Sequence, residues 1–545
     1  MLMRTQLRKY FAERDRARIL LLLAIVCLVY LPFLGNPFVF DDLSFFSTGV
    51  IQLYAHKSFD LGLRWFPYAS LGHIYAIFSD EFPYVYRLVS MLLHAVNTVL
   101  LFYLLRHLIG AVQPKDIDTS VAIRGAWLGA IAFALHPVAV YAVGYAIQIS
   151  ILMATLFALL MQLAYLRGLV SGQKRWFVLA VLAYFLACFS KEHSILMPVV
   201  LVTMGVLLRS VNRANWQALG LTWLSFTVIA ALVILRTRGV LGNPYEPMAA
   251  QLFGQQGIEG SAPMLHLLSA LTQAGLFFKY LLLWVLPDTS LMSIDMREPF
   301  ISSVWSTKAW LGGGAFILYG VFGIRLLFQR GMRGLAGFAM LYPWLLFWVE
   351  MAGIRIQEPF VLYRSYLWMP GMMLFMPLLL TKISERRVWL VMLCTMLVLV
   401  PLSWGRLHMF ADNYRLWNEA ALLLRDDRLA GADRIFYNRG QAELAAQKWE
   451  EAAEDLKRSA DISPQLEPVR YLLGVAYANL GRYEEALVQY NAALAINSDD
   501  DRVYFAKGMT LKLLHRDSEA MQQMELSCKL KNKVACLIVA MPNNQ

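Results

Sequence analysis

Charged residues are scarce in this chain of 545 residues. Asp, Glu, Lys and Arg make up 16% of the sequence and hydrophobic residues make up 58%, whereas soluble domains carry roughly 25% charged residues. The composition excludes an ordinary soluble protein for most of the chain, because so apolar a protein has too little polar surface to face water. The hydrophobic residues concentrate between about residues 19 and 404, and the remainder reads as a soluble helical protein. At least two parts are therefore predicted.

Cysteine is also scarce, with five residues in the chain. None has the spacing of a metal-ligand set, so we predict no metal site and no cofactor, and the need for a divalent metal ion stays open. Cys27, Cys188 and Cys394 lie in apolar segments, where a thiol behaves as a small hydrophobic group. Cys528 and Cys536 form a disulfide or remain two free thiols, and the sequence leaves both alternatives open.

Positive charge exceeds negative charge, with a formal net charge of +11, but its position argues against a nucleic-acid partner. The basic residues lie before the first apolar segment and in short loops between later ones, at Arg4, Arg8, Lys9, Arg14, Arg16, Arg18, Lys174, Arg175, Arg209, Arg213, Arg330, Arg333, Lys382, Arg386 and Arg387. Basic loops of this kind face the cytoplasm in membrane proteins. We therefore expect a multi-pass membrane protein with a cytoplasmic N-terminus.

A membrane-spanning helix needs about 20 predominantly apolar residues. The sequence predicts about eleven such helices within residues 1–404, at 19–35, 86–108, 123–142, 147–168, 175–190, 194–209, 216–235, 309–328, 334–352, 366–381 and 388–404. Segment 264–287 is also apolar, but counting it as a span would place the later basic loops outside the cytoplasm. We predict instead a re-entrant or interface-lying helix within a long periplasmic loop, 236–308. The first periplasmic loop is predicted at 36–85.

The soluble part contains a sequence repeat with a period of 34 residues. Gly440, Gly474 and Gly508 recur at this spacing, as do Tyr437, Tyr471 and Phe505. The period and pattern are typical of tetratricopeptide repeats, which are helix pairs that bury their apolar faces by stacking on their neighbours. We thus predict an all-α fold with a membrane domain at 1–404, connecting helices at 405–430, three repeats at 431–532 and a tail at 533–545.

Two adjacent carboxylates, Asp41 and Asp42, follow the first predicted span directly. Charge beside a membrane is costly unless it is paired or functional. In one interpretation, one carboxylate removes a proton from an attacking hydroxyl and the other stays hydrogen-bonded or holds the loop. In the other, the pair caps the next helix. The two residues alone favour the cap.

Cations gather on the same predicted side of the membrane. The polar residues there are Lys191, Glu192, His193, Lys279, Tyr363 and Arg364. Lys and Arg offset the charge of a phosphate leaving group, and Arg offers a bidentate fork. The alternative for Lys279 and Arg364 is extension of a long side chain toward the interface. His94 and His136 fall within predicted spans, and the residues alone indicate packed, hydrogen-bonded histidines rather than ligands.

The order of these motifs resembles that in the transmembrane and tetratricopeptide-repeat O-mannosyltransferases, which have the GT-C glycosyltransferase fold. The motifs are Phe38-Val-Phe-Asp-Asp42, Leu92-Leu-His-Ala-Val-Asn97, Ala132-Phe-Ala-Leu-His-Pro137, Phe189-Ser-Lys-Glu192 and Leu362-Tyr-Arg-Ser-Tyr-Leu-Trp-Met-Pro370, followed by the repeats. The resemblance implies that Asp41 is the catalytic base and Asp42 its close partner. It also implies that Arg364 contacts a lipid phosphate together with Lys191, Lys279 and Tyr363, in a site lined by Glu192, His193, His136 and His94.

The activity that this resemblance implies is inverting transfer of a monosaccharide from a polyprenyl-phosphate donor to a Ser or Thr hydroxyl of a periplasmic protein, such as a type IV pilin. The protein would lie in a bacterial inner membrane, and the periplasmic repeats at 431–532 would dock the acceptor. Two alternatives stay open. One is a non-enzymatic, membrane-anchored repeat scaffold for envelope or pilus assembly, and the other is a GT-C enzyme that glycosylates a lipid or glycan.

Overall fold

The computed structural model describes residues 2–112, 119–208, 216–244, 246, 248–329, 331–380 and 384–540. Within these ranges the fold is all-α, as predicted, and its only extended pairing is an isolated bridge between Pro244 and Ile354. Some residues considered above lie outside the described ranges, namely Arg209, Arg213, Arg330, Lys382 and the end of the tail, 541–545.

The described residues before position 413 form eighteen α-helices. They are α1 Leu2–Tyr30, α2 Asp41–Ser47, α3 Val50–His56, α4 Trp65–Phe78, α5 Pro83–Val112, α6 Thr119–Leu135, α7 Pro137–Val143, α8 Ile149–Ser171, α9 Lys174–Ser190, α10 Met197–Leu208, α11 Trp216–Thr237, α12 Ala249–Gln255, α13 Ala262–Val285, α14 Thr307–Leu327, α15 Met332–Phe347, α16 Met369–Met372, α17 Phe375–Leu380 and α18 Glu385–Met409. Short 3-10 helices lie at Leu31–Phe33, Ala146–Gln148, Glu192–Leu196, Thr289–Leu291, Trp348–Met351 and Leu362–Leu367.

The remaining described helices follow from residue 413 onward. They are α19 Asn413–Leu423, α20 Ala432–Ala445, α21 Trp449–Ile462, α22 Glu467–Asn479, α23 Tyr483–Ile496, α24 Asp501–Leu513, α25 Asp517–Lys529 and α26 Lys533–Ala540. The chain divides into two compact units. Unit 1 contains 1–251, 258–292 and 299–412, and unit 2 contains 252–257, 293–298 and 413–545. The change at residue 413 falls inside the predicted connecting segment.

Seven described helices are long and apolar enough to cross a membrane, and the bent pair α6–α7 is an eighth candidate. This number is smaller than the predicted eleven, because four of the predicted spans are shorter helices. The helices α9, α10 and α15 contain 17, 12 and 16 residues, and 366–381 is broken into α16 and α17. Conversely, most of the predicted re-entrant segment, 264–287, lies in α13, a continuous helix of 24 residues, Ala262–Val285, that meets the length and composition of a span. The side of the membrane on which each loop lies stays a prediction.

The 60° bend between α6 and α7 has a local cause in the sequence. Pro137 has no N–H group and disfavours the helical conformation in the residue before it. His136 accordingly has an extended backbone, with φ −71° and ψ 129°, and its ring nitrogen Nδ1 accepts a hydrogen bond from the Val138 N–H at 3.3 Å. The His136-Pro137 pair thus ends one helix and begins the next.

In unit 2, three helix pairs, α20–α21, α22–α23 and α24–α25, occupy the predicted repeats. The recurring glycine permits close packing of the two helices in each pair. A Cβ atom on Gly474 would lie 2.5 Å from the Tyr490 ring, and one on Gly440 would lie 2.8 Å from Leu456. The period of 34 therefore places the smallest residue where the two helices of a repeat come closest.

Two features complete unit 2. Cys528 and Cys536 form a disulfide that joins α25 to α26, with the two Cα atoms 4.6 Å apart. This settles the question that the sequence left open. Segment 293–298 also belongs to the unit, because buried Asp295 accepts a hydrogen bond from Arg434 at 2.9 Å and pairs with Arg297. The repeats are therefore packed against two short segments of the loop that separates α11 from α14.

Candidate functional site

The two aspartates after the first span have different environments. Both stand in the first turn of α2, with Asp42 fully buried and Asp41 exposed. The Asp42 carboxylate accepts hydrogen bonds from the N–H groups of Ala146 and Ile147, at 3.1 and 2.8 Å. Burial raises the pKa of Asp42 to about 6, although Arg87 and these N–H groups lower it. Asp42 thus fastens the first loop to the 145–148 turn, and the exposed carboxylate of Asp41 is the one open to a substrate.

Arg87 holds the chain just before α2. Its guanidinium donates to the carbonyl oxygens of Asn36, at 2.8 Å, and of Pro37 and Gly144. Because Arg87 and Asp42 both bind residues 144–147, the first loop is fixed at two points. Such fixing positions the start of α2 within the site.

Tyr145 connects Asp41 to the rest of the predicted site. The Asp41 N–H donates to the Tyr145 hydroxyl at 2.9 Å. The Tyr145 ring stacks on Phe40 and meets Tyr363 edge-on, with ring centroids 6.3 Å apart in both cases. Burial, followed by the charges of Asp41 and Asp42, holds the pKa of Tyr145 well above its usual value. The phenol is therefore a neutral hydrogen-bonding group beside the exposed carboxylate.

Lys191 also contacts Tyr363. Its Nζ atom lies 5.5 Å from the centre of the Tyr363 ring, within the range of a cation–π contact. Lys191 is buried, and burial followed by the nearby Arg64 charge lowers its pKa to about 7. The structure thus brings together four side chains in the order Asp41, Tyr145, Tyr363 and Lys191, of which three were predicted as site residues.

A network of ion pairs begins at Glu192, the residue after Lys191. Arg64 binds Glu192 with a two-point fork, in which Nε donates to Oε2 at 3.0 Å and Nη2 donates to Oε1. His193 stands between two carboxylates, with Nδ1 3.5 Å from Glu192 and Nε2 3.0 Å from Glu350. Burial raises the pKa of Glu192, but Arg64 and His193 outweigh it and hold that pKa well below its usual range.

Glu350 is the centre of this network. Its carboxylate is 1% exposed and lies 3.4 Å from Arg355 and 3.2 Å from Arg364. Arg364 also donates to the Glu358 carbonyl at 3.2 Å and lies 3.5 Å from its carboxylate. Burial alone would lower the pKa of Arg364, but the Glu350 carboxylate raises it above its usual value. Arg364 is thus held as a charged residue inside the protein, between two carboxylates.

A cavity of about 520 Å³ opens beside the network. The polar groups on its wall come from Arg64, Glu192, His193, Arg236, Thr237 and Arg355, and the rest of the wall is largely apolar, with Leu63, Ile195, Leu196, Val233, Ile234, Val240, Leu241, Trp348 and Val349. Three arginines against one glutamate give the wall an excess of positive charge. The arrangement fits an amphiphile with an anionic head and a hydrocarbon body.

Three predicted site residues have other partners. The His94 ring nitrogens contact the Tyr366 hydroxyl at 2.7 Å and the Ala134 carbonyl at 3.1 Å. The His136 ring stacks on Trp284 with centroids 4.3 Å apart. Lys279 lies over the Phe360 ring at 4.5 Å. The histidines pack in the helix core as their sequence context alone indicated, and none of these contacts joins the Asp41 or Glu350 groups.

Seven residues of the site had no role in the sequence prediction: Arg64, Arg87, Tyr145, Arg236, Glu350, Arg355 and Glu358. Glu350 carried a usable signal, because a carboxylate within a predicted span is costly and marks a polar interior. Arg64 and Arg355 lie in loops, where a single arginine has no distinctive pattern. Among the described residues, no group of three or more His, Cys, Asp or Glu side chains could hold a metal ion.

Comparisons with known proteins concern the repeats. The tetratricopeptide repeat family matches residues 443–508, so this segment is a tetratricopeptide-type repeat scaffold. Comparison with curated proteins gives no match.

Among solved structures, the chain is similar to "MamA AMB-1" at 22% identity and a TM-score of 0.21, covering 28% of this chain and 86% of that one. It is similar to YrrB, described as a TPR protein with an unusual peptide-binding site, at 19% identity and a TM-score of 0.21, covering 29% and 86%. It is similar to the Cut9–Hcn1 hetero-tetramer of APC/C at 13% identity and a TM-score of 0.23, covering 77% and 83%. These values carry no inference about function.

Proposed function

We propose that this protein is a membrane glycosyltransferase that moves a monosaccharide from a polyprenyl-phosphate donor to a hydroxyl of an acceptor protein. One observation carries the proposal: an exposed carboxylate, Asp41, stands at one end of a row that continues through Tyr145 and Tyr363 to Lys191. Glu192, which follows Lys191 in the sequence, lines a largely apolar cavity together with three arginines. A general base and an anion-binding amphiphile site are the two parts that such a transfer requires.

The cavity supports a refinement of the donor site. Arg364, the cation that the resemblance implies for the lipid phosphate, is 3% exposed and lies between Glu350 and Glu358. Arg64, Arg236 and Arg355 line the cavity instead. We therefore assign phosphate contact to these three arginines and a positioning role to Arg364, which shares Glu350 with Arg355. The apolar wall would receive the first isoprene units of the lipid.

The chemistry follows from these assignments. The Asp41 carboxylate takes the proton of the acceptor hydroxyl as that oxygen attacks the anomeric carbon of the donor sugar. The bond from this carbon to the phosphate oxygen breaks, and the phosphate leaves with the electron pair, so the configuration inverts. Arginines offset the charge that develops on the phosphate, and holding both substrates in place supplies much of the acceleration.

The repeats would bind the acceptor protein, since tetratricopeptide repeats generally bind peptides. We place them in the periplasm of a bacterium and the helical part in its inner membrane. The Cys528–Cys536 disulfide supports this placement, because disulfides persist in oxidising compartments such as the periplasm. Labelling of these two cysteines by a thiol reagent without reductant would show that the disulfide is absent, and the placement would lose this support.

Mass spectrometry of envelope proteins, with and without this protein, tests the activity. We expect one glycan mass on a periplasmic acceptor, lost on deletion and restored by the wild-type chain. Asp41→Asn should reduce transfer by about 10²- to 10⁴-fold, because a general base contributes that much. Asp80→Asn is the matched control, since Asp80 is an exposed aspartate of the same predicted loop. Wild-type transfer by Asp41→Asn would rule out the role of Asp41.

The acceptor docking has its own test. A photo-crosslinking residue at Met509, an exposed position on the first helix of the third repeat, should capture the glycosylated protein. The same residue at Val488, exposed on the second helix of the preceding repeat, is the control. Equal capture at both positions would contradict docking on the first helices.

A second candidate is a membrane-anchored repeat scaffold without catalysis. The tetratricopeptide match at 443–508 favours it, because such repeats commonly organise protein partners. The two functions differ in their need for Asp41. A scaffold would keep its partners and its cellular effect in the Asp41→Asn variant, whereas the transferase would keep its partners and lose the glycan.

A further inference from the structure

The segment between α3 and α4, residues 57–64, forms part of the wall of the cavity described above. Residues 57–61 are exposed, and the segment ends at Arg64 and Leu63, which both line the cavity. Phe59 packs on Phe185 and Phe189, with ring centroids 6.1 Å away in each case. Two arginine contacts also attach the segment to other parts of unit 1.

The first arginine contact is the Arg64–Glu192 fork. In the second, Arg236 Nη2 donates to the carbonyl oxygen of Asp60 at 3.1 Å. Both arginines also line the cavity, as does Glu192. Two of the contacts that hold the segment are therefore made by groups that an anionic ligand in the cavity would meet.

The backbone at Arg64 is strained. Its φ is 62° and its ψ 15°, a left-handed conformation that a residue with a Cβ atom adopts at a cost. Leu61 also has a positive φ, 58°. The Arg64–Glu192 fork helps to keep Arg64 in this conformation, so loss of the carboxylate with no other anion bound to Arg64 would leave the segment free to rearrange around Arg64.

We propose that the Arg64–Glu192 ion pair is an exchangeable latch, in which the phosphate of an isoprenoid ligand replaces the Glu192 carboxylate on the Arg64 guanidinium. Carboxylate and phosphate both accept the two parallel N–H bonds of an arginine fork, so one anion can substitute for the other. The inference rests on the proposed function only in requiring a lipid phosphate in the cavity. Glu192 then competes with the ligand, although it lines the same site.

Competition gives an unusual expectation for binding. Glu192→Gln should strengthen binding of farnesyl phosphate by about tenfold, because the ligand no longer has to displace a charged partner. Arg64→Gln should weaken binding. In the Arg64→Gln background, Glu192→Gln should have little further effect, because the latch is already absent. Farnesol, which lacks the phosphate, should bind all variants alike.

The measurement is titration of the full-length chain in detergent with farnesyl phosphate and, as the control, farnesol. If Glu192→Gln strengthens binding equally with and without Arg64, simple removal of a negative charge explains the gain and the latch is refuted. Weaker binding by Glu192→Gln would refute it directly. If either glutamine variant misfolds, Glu192→Asp and Arg64→Lys replace them in the cycle. Glu192→Asp should then strengthen binding of farnesyl phosphate by less than Glu192→Gln, and Arg64→Lys should weaken it by less than Arg64→Gln.

A nitroxide at Ser58, introduced as Ser58→Cys with the free cysteines replaced by alanine, gives a second readout. Its mobility should rise in Glu192→Gln and fall again on addition of farnesyl phosphate but not farnesol. Unchanged mobility in Glu192→Gln would show that the fork does not hold the segment. No sugar is transferred in either experiment, so the latch and the transfer are tested separately. The predicted binding cycle, together with no glycan in the mass spectrometry described above, would contradict the proposed transfer and support the latch. Glycan transfer without the predicted cycle would do the reverse.

Discussion

The buried network around Glu350 in unit 1 and the surface ion pairs of the repeats in unit 2 hold their charges in different ways. In the network, Glu350 and Arg364 are 1% and 3% exposed and pair with each other. Unit 2 also has a buried pair, Asp295–Arg297, but repeat pairs such as Arg482–Glu485 lie on the surface, with side chains 47% and 52% exposed. Water and salt screen the second kind of pair and hardly reach the first.

The difference in exposure determines how much each kind of ion pair contributes to stability. Two buried charges lose their hydration, and their mutual attraction recovers that loss only with good geometry and further hydrogen bonds. A chain that needed only a stable core would have used apolar residues at these positions. The buried network of unit 1 is therefore consistent with the chemistry proposed above, whereas surface pairs of the kind seen in the repeats contribute little to stability.

Glu350→Ala should give the largest effect on stability. It leaves Arg355 and Arg364 without their shared carboxylate, and an unpaired buried charge costs about 3–5 kcal/mol. We expect a large drop in the midpoint of unfolding, measured by tryptophan fluorescence of the protein in detergent. Glu350→Gln, which keeps the shape and loses the charge, should lie between the wild type and Glu350→Ala.

Glu485→Ala is the matched control for that comparison, since Glu485 forms its ion pair on the surface of unit 2. It should leave the midpoint unchanged. If the two alanine variants had equal effects, the buried network would have no special energetic role, and the contrast between the two units would fail.

The second effect concerns pH and Asp42. Its pKa in the folded protein is raised to about 6 from 3.8, so the folded state binds the proton more tightly than the unfolded state. Asp42 therefore favours folding below about pH 4, and this contribution is lost as the pH rises from about 4 to 6. The loss amounts to roughly 2–3 kcal/mol.

Unfolding midpoints measured between pH 4 and 7 would show whether Asp42 lowers the stability as the pH rises. The stability of Asp42→Asn relative to the wild type should increase across that interval, because asparagine has no proton to lose. A difference that stays constant with pH would mean that Asp42 is already ionised at pH 4, and that Arg87 outweighs burial. Asp80→Asn, at an exposed position, should show no such trend.

The repeats could be predicted because their physics is periodic and local. A glycine every 34 residues marks the closest approach of two helices, and Gly440, Gly474 and Gly508 fulfil that role. The helix pairs accordingly fall within the predicted range 431–532. Their neighbours 252–257 and 293–298 were not predicted, because Asp295 and Arg297 lie in a loop whose partners are more than a hundred residues away.

The site of unit 1 could be predicted only in part. Asp41, Lys191 and Tyr363 were identified from their motifs, but the structure connects them through Tyr145, whose sequence context gave no sign of that role. Arg364 was assigned to the phosphate because its guanidinium suits that ligand. Sequence spacing cannot show that Glu350 and Glu358 already surround it, since such pairing depends on how the chain folds back between residues 350 and 364.

Gly474→Ala should have a smaller effect, confined to unit 2. The new Cβ atom would lie 2.5 Å from the Tyr490 ring, and overpacking of this kind costs about 1–3 kcal/mol. Hydrogen exchange in the full-length chain should become faster in α22 and α23 and stay unchanged in α5 and α8. Tyr490→Leu, which removes the ring, should restore part of the protection in the double variant.

The smallest expected effect tests the surface pairs themselves. Arg482 donates to Glu485 at 2.6 and 2.5 Å, yet both side chains are about half exposed. Water can replace either partner, and holding two long side chains in one geometry has an entropic cost. Arg482→Gln should therefore leave hydrogen exchange in α23 unchanged, at low and at high salt alike. A salt-dependent loss of protection would show instead that repeat stacking depends on surface charge.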